Sequence, residues 1–213
     1  MKKFTVLTVC LFITVLTSFA QVRIGVTGGL QMANQKNSIG GFSISGTNRI
    51  GYTAGLLIDA ALSESFSIRP QILYSVKGTK FDLGGLSGGL ANGNVTLAFN
   101  YIEVPIQVTY GLEAGPGRLV LGAGPYVGYA LSGTTSGSVQ GQSGSENIEF
   151  GSAEDQVKRL DYGLRLSGGY ELSSGLSISA FYSPGLANLA NGSNQTTTNT
   201  AFGLTLGFLF GGE

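Results

Sequence analysis

The groups able to carry chemistry in this chain are few. Of 213 residues only 11% are charged, with 12 Lys and Arg against 12 Asp and Glu, and there is no histidine. Without an imidazole, a Ser-His nucleophile or an Asp-His pair activating water lacks its base near neutral pH. Zinc sites built on His or Cys lack their ligands for the same reason. What remains is a set of ionic residues standing singly among apolar neighbours: Asp59, Arg69, Lys77, Glu103, Asp161, Arg165 and Glu171. Four more acids, Glu146, Glu149, Glu154 and Asp155, cluster in one Gly- and Ser-rich stretch. Oxygen ligands of that kind suit a divalent cation, but their spacing fits no known cation-binding loop, and a solvated acidic loop is the favoured reading. The run Gly84-Gly85-Leu86-Ser87-Gly88-Gly89 has no Gly-Lys-Ser/Thr after it, so it is loop glycine rather than a phosphate cradle. Nothing in the chain calls for a cofactor, and no metal site is expected.

The elements that must position the seven ionic residues are strands, because the apolar pattern has period two. Val22, Ile24 and Val26 alternate with Arg23, Gly25 and Thr27. Over 50–62, Tyr52, Ala54, Leu56 and Ile58 stand opposite Gly51, Thr53, Gly55, Leu57 and Asp59. Phe66, Ile68, Pro70, Ile72, Tyr74 and Val76 stand opposite Arg69, Gln71, Ser75 and Lys77. Ile102, Val104, Ile106, Val108 and Tyr110 face away from Glu103, Gln107 and Thr109. Segments 118–131, 158–172, 176–186 and the closing stretch, with Phe202, Leu204, Leu206, Phe208 and Phe210 on one face, complete a count of eight. The stretches between them alternate in length. Those at 31–49, 79–95, 132–157 and 187–198 are long; those at 63–65, 113–117 and 173–175 are short. Long loops at one rim and tight turns at the other are the habit of an up-and-down barrel. The long stretches hold strand-like pieces such as Gly41-Phe42-Ser43-Ile44, which keeps a ten-stranded count as the alternative.

Alternation alone fits a soluble barrel, apolar inside, as well as a membrane barrel, apolar outside. A soluble barrel would present charge at about a quarter to a third of its surface positions. Here the small-residue face is mostly Gly, Ser and Thr, and mean hydropathy is positive. Such residues suit the cramped interior of an eight-stranded barrel, and Phe, Leu, Ile and Val on the other face suit lipid. Tyr52, Tyr74, Tyr101, Tyr110, Tyr129, Tyr162, Tyr170 and Tyr182 are expected at the two membrane interfaces. The seven ionic residues then face the lumen with Gln71, Gln107 and Tyr126. Opposite charges such as Arg69 and Glu103, on neighbouring strands, are expected to cross-link and fill it rather than to line a conduction path. Pro70, Pro105, Pro125 and Pro184 lack the amide hydrogen that a ladder needs, so bulges or strand ends are expected there. A bulge is also expected near Asn100 and Tyr101, where the large residues change from odd to even positions.

Two further features concern location. Lys2 and Lys3 precede an apolar run over 4–16, followed by Ser18-Phe19-Ala20, which reads as a secretory signal peptide over 1–20 cleaved after Ala20. Cys10 leaves with it, and the mature domain, 21–213, then carries 10 basic against 12 acidic residues. With no basic excess, nucleic acid is not an expected partner.

Several stretches taken in order are Leu73-Tyr74-Ser75-Val76-Lys77-Gly78, Tyr101-Ile102-Glu103-Val104-Pro105, Gly124-Pro125-Tyr126-Val127-Gly128, Asp161-Tyr162-Gly163 and Phe202 through Phe210. Together they resemble the PorT-like small outer-membrane β-barrel family, over nearly all of the mature chain. The resemblance implies the outer membrane of a Gram-negative envelope and strands that accept Pro105 and Pro125. It implies no catalytic residue. Some relatives assist protein secretion across the envelope. Outer-membrane barrels usually end on an aromatic residue, whereas Gly211-Gly212-Glu213 follow Phe210 here. The expected protein is therefore a non-enzymatic, eight-stranded transmembrane barrel with a plugged polar lumen. Lipid surrounds it, and its long loops meet envelope or external protein partners. A narrow pore and an accessory part in secretion are the alternatives, and the sequence leaves the oligomeric state open.

Overall fold

The computed structural model describes residues 22–82, 93–139 and 142–211. The expected signal peptide, Cys10 and the glycine run 84–89 lie outside the described residues. In chain order the strands are β1 (Val22–Ile39), β2 (Phe42–Ser45), β3 (Thr47–Ala61), β4 (Phe66–Asp82), β5 (Gly93–Ala114), β6 (Gly117–Val139), β7 (Gln142–Asn147), β8 (Leu160–Leu172), β9 (Leu176–Pro184) and β10 (Gln195–Phe210). Eight of them close a ring in the order β1, β3, β4, β5, β6, β8, β9, β10, all neighbours antiparallel. The seam runs from Ile24 opposite Phe210 to Ile39 opposite Gln195. β2 and β7 fold back on β1 and β6 at the loop end, outside the ring. They account for a count of ten without changing the eightfold closure.

The bulky face is the outer one. Leu204 and Leu206 are 59% and 60% exposed, and Leu30, Leu56, Leu121 and Leu164 on other strands of the ring are exposed as well. The inner positions of the same strands are buried or half-buried. Tyr52 and Tyr74 lie 6.1 Å apart on β3 and β4, and Phe66 and Tyr110 lie 5.1 Å apart near the turn end, so aromatic rings do gather outside. Tyr101 departs from the expected girdle, because it is fully buried inside the barrel.

Strand ends differ from the expected ones. Much of 31–49 and 132–157 is strand, with β1 running to Ile39 and β6 to Val139. Apolar alternation stops where lipid stops, but Ser, Thr, Asn and Gly beyond that level still pair across the ladder, so the barrel stands taller than its apolar band. The turn joining β1 to β2 is Gly40-Gly41, at φ 57° and 89°, the left-handed values that a two-residue hairpin asks for.

The expected bulge lies across the ladder from its anticipated place. Asn100 faces Ser132 but Tyr101 faces Ala130, so the extra residue is Leu131 on β6. β5 keeps its phase, with odd positions inward from Phe99 to Thr109. What changes near Tyr101 is the character of the inward face, apolar toward the loop end and polar below. The prolines act differently from one another. Pro184 ends β9, as expected. Around Pro70, Pro105 and Pro125 pairing lapses for two rungs and resumes in the same register, which corrects the expectation of bulges there. A missing N–H deletes a rung, and neighbouring rungs hold the register. Beside this lapse, Gly124 lets β6 approach so closely that a Cβ would stand 1.9 Å from the carbonyl oxygen of Ile106. We expect Gly124→Val to block barrel closure, seen as loss of at least about nine-tenths of the heat-modifiable folded band on unboiled gels. A fully folded variant would contradict this account of the approach.

Candidate functional site

The inward face carries its ionic groups in layers. At the turn end, Arg23 of β1, Asp59 of β3, Arg69 of β4, Arg118 of β6 and Glu171 of β8 form one cluster. Arg69 donates from Nε to Asp59 at 2.9 Å and from Nη2 to Glu171 at 3.1 Å. Arg23 reaches the same two carboxylates, with Glu171 at 2.6 Å and Asp59 in direct contact. Arg118 lies 3.0 Å from Glu171 and 3.3 Å from Asp59. Each carboxylate is thus shared by three guanidinium groups, and five strands are tied at one level. The acids are buried while the three arginines keep partial contact with the turn-end opening.

Above this cluster the contacts are neutral or mixed. Gln71 donates to Gln107 at 3.2 Å, and Gln107 donates to Ser167 at 2.9 Å. The guanidinium of Arg165 stacks 3.7 Å from the Phe181 ring centroid, a desolvated cation–π contact. The next layer holds Lys77 against Glu103, with Asp161 at 3.7 Å. The Lys77 ammonium also sits 4.7 Å from the ring of Tyr126. Asn199 donates to Asp161 at 3.0 Å and accepts from Gln35 at 3.0 Å, which carries the polar contacts to β1 and β10.

The lumen is capped at the loop end by apolar side chains. Phe99, Tyr101 and Ala130 are buried together, and Leu97, Ile148, Phe150 and Val157 pack on them. Segment 148–159 is drawn over the mouth by Asn191, whose side-chain amide donates to the carbonyls of Gly151, Ala153 and Gln156. Arg159 stacks on Phe150 at 4.4 Å, and Leu189 is fully buried.

All seven ionic residues singled out in the sequence point inward. They do not form one group: Asp59, Arg69 and Glu171 belong to the turn-end cluster, and Lys77, Glu103 and Asp161 to the upper one, with Arg165 between. The expected Arg69–Glu103 pair is absent. Arg69 stands opposite Gln107, whereas Glu103 stands opposite Leu73, four residues nearer the loop end. At roughly 3.4 Å per residue that offset exceeds the reach of an ion pair. Arg23 and Arg118 were missing from the set. Arg23 was legible, since it alternates with Val22 and Ile24; Arg118 opens its strand, where phase is hardest to read. Glu146, Glu149, Glu154 and Asp155 stand around the outer mouth, and among the described residues no group of His, Cys, Asp and Glu is arranged to hold a metal ion.

Removing one partner from a buried ion pair strands the other charge and costs about 3–5 kcal/mol. We expect Lys77→Met to destabilise the micelle-folded barrel by that amount in denaturant titration, because it strands Glu103 and Asp161. The double variant K77M/E103Q is expected to recover roughly half or more of the loss. Equal stability of wild type and K77M would show that the layer contributes nothing.

Residues 19–191 match the family profile described as Outer membrane protein beta-barrel domain. Among solved structures, the chain is similar to Ail, the attachment invasion locus protein of Yersinia pestis, with 14% identity, 88% of this chain and 99% of that chain covered, and a TM-score of 0.40. It is similar to OprG from Pseudomonas aeruginosa with 9% identity, 89% and 96% coverage and a TM-score of 0.45. It is also similar to the outer membrane protease OmpT from Escherichia coli, with 11% identity, 90% and 97% coverage and a TM-score of 0.34. No curated protein matches the sequence. With most of its length inside the family profile, and with a closed antiparallel ring whose bulky face is outermost, the chain belongs to the Outer membrane protein beta-barrel domain family and is an integral outer-membrane protein.

Proposed function

We propose that this barrel is a non-enzymatic envelope protein whose lumen is plugged and whose loops present a contact surface to partners in the envelope or outside the cell. The observation that carries this is closure at both ends: three arginines on two carboxylates at the turn end, and the Phe99, Tyr101 and Ala130 cluster under segment 148–159 at the loop end. An eight-stranded barrel has an interior just wide enough for side chains to fill, which favours plugging over conduction. The non-enzymatic reading is supported by chemistry. There is no histidine, and each interior carboxylate contacts a cationic side chain instead of standing ready to take a proton. The stretches that resemble PorT-like barrels favour that subgroup and keep an accessory part in secretion as the second reading.

Three measurements bear on this. Protein in planar bilayers is expected to give no discrete conductance steps; steps that change size in Arg69→Gln would establish a pore instead. The chain recovered from outer membranes is expected to begin at Gln21 by mass spectrometry, and a retained Met1 would remove the signal-peptide reading. A deletion strain that traps secreted proteins in the periplasm would favour the secretion role over the plugged contact surface.

A further inference from the structure

Between β7 and the outer part of β10, the ring gives way to loops, and a cavity of about 510 Å³ opens at the mouth. Its floor is apolar, made by the half-buried Leu97, Ile148 and Val157 over the buried Phe99 and Leu189. Its walls and rim carry the carboxylates of Glu146, Glu149, Glu154 and Asp155, and among the described residues no Lys or Arg lines it. None of these four acids joins a salt bridge among the described residues: the ion pairs found there use Asp59, Glu103, Asp161 and Glu171. A concave site with low-dielectric walls and one sign of charge focuses the field and selects cations.

A second feature of the same site is a strand edge. β7, reading Gln-Ser-Gly-Ser-Glu-Asn, pairs only with β6 among the described residues, and all six of its positions are exposed. It contains neither proline nor lysine, two common protections against pairing with another chain. Two of its residues, Glu146 and Asn147, line the cavity. A free edge offers backbone donors and acceptors to an extended chain, and pockets beside it sort alternate side chains.

We infer that this mouth site binds an extended basic peptide, laid along β7 as an added strand, with Lys or Arg at the carboxylates and intervening apolar side chains on the half-buried Leu97, Ile148 and Val157. The six residues of β7 span roughly 20 Å, enough for a segment of about six residues. A bare metal ion would leave the apolar floor and the strand edge unused. The inference rests on the reading of the loops as a contact surface and gives the class of partner; it does not depend on whether the lumen conducts.

The test uses the full chain folded in micelles, with folding of each sample checked by heat-modifiable mobility. The probe is a fluorescent hexapeptide of alternating Lys and Leu, read by anisotropy. Saturable binding is expected that weakens by at least about tenfold in E146Q/E149Q/E154Q/D155N, whose substitutions lie on exposed positions of β7 and the loop after it. The pair E154Q/D155N, which leaves β7 untouched, is expected to give an intermediate loss. A peptide with Glu in place of Lys is expected not to bind, and N-methylation of alternate backbone amides is expected to weaken binding by a similar factor. Equal binding by the quadruple variant, or by the acidic peptide, would overturn the proposal. Undiminished binding of the N-methylated peptide, or displacement by spermine at equal concentration, would show a general cation site and overturn the added strand. Silent bilayers together with absent peptide binding would leave the plugged barrel standing and remove only this inference.

Discussion

Each backbone N–H or C=O left unpaired in hydrocarbon costs several kcal/mol, and an open sheet would leave a row of them along either edge. Pairing of β1 with β10 removes both rows at once. With eight antiparallel strands meeting that requirement, turns and loops alternate and both described ends return to the same rim. It also explains how three interior prolines are tolerated. Each withdraws one donor, pairing lapses locally, and ladder contacts on both sides keep the register unchanged.

A ring of eight strands has an interior just wide enough for side chains to fill, and here those side chains are too polar to make an oily core. The charges facing it are therefore matched in space. Isolated burial of a single carboxylate would be prohibitive, whereas shared guanidinium groups return much of that cost when geometry is good. Asp59 and Glu171 show this arrangement, since each meets Arg23, Arg69 and Arg118. Those partners come from strands separated by up to half the circumference. The layer consequently fixes the relative height of five strands, and a slip by one residue in any of them would turn its charge outward and strand the partners it leaves behind.

The period-two pattern made the barrel legible because lipid imposes a strong contrast between faces, as Leu204 and Leu206 against Thr205 show. The seven inward ionic residues were legible for the same reason, since phase alone places a side chain inside. Their partners were not. Pairing depends on height along the axis, which comes from inter-strand register, and a single strand carries no record of its neighbour's offset; Arg69 and Glu103 were matched wrongly on that account. Tyr101 misled because an aromatic residue at a strand end looks alike whether it faces a membrane interface or an apolar cap. The change of pattern near Asn100 came from the inward face turning from apolar to polar along β5, while the real bulge, at Leu131, belongs to the opposite strand. The site at β7 was hidden because Gln142–Asn147 has no apolar alternation to mark it as a strand.

The β1–β10 seam also governs when the molecule can exist. Ile24 and Phe210 are neighbours in space yet 186 residues apart in sequence (210 − 24). No form lacking β10 can bury the free ladder of β1, so closure must wait until β10 is made and delivered. Contacts of such high sequence separation pay their loop entropy before any reward and make assembly slow. The unsealed precursor therefore spends its life exposing two strand edges, and its survival depends on being kept apart from others of its kind until the last strand arrives.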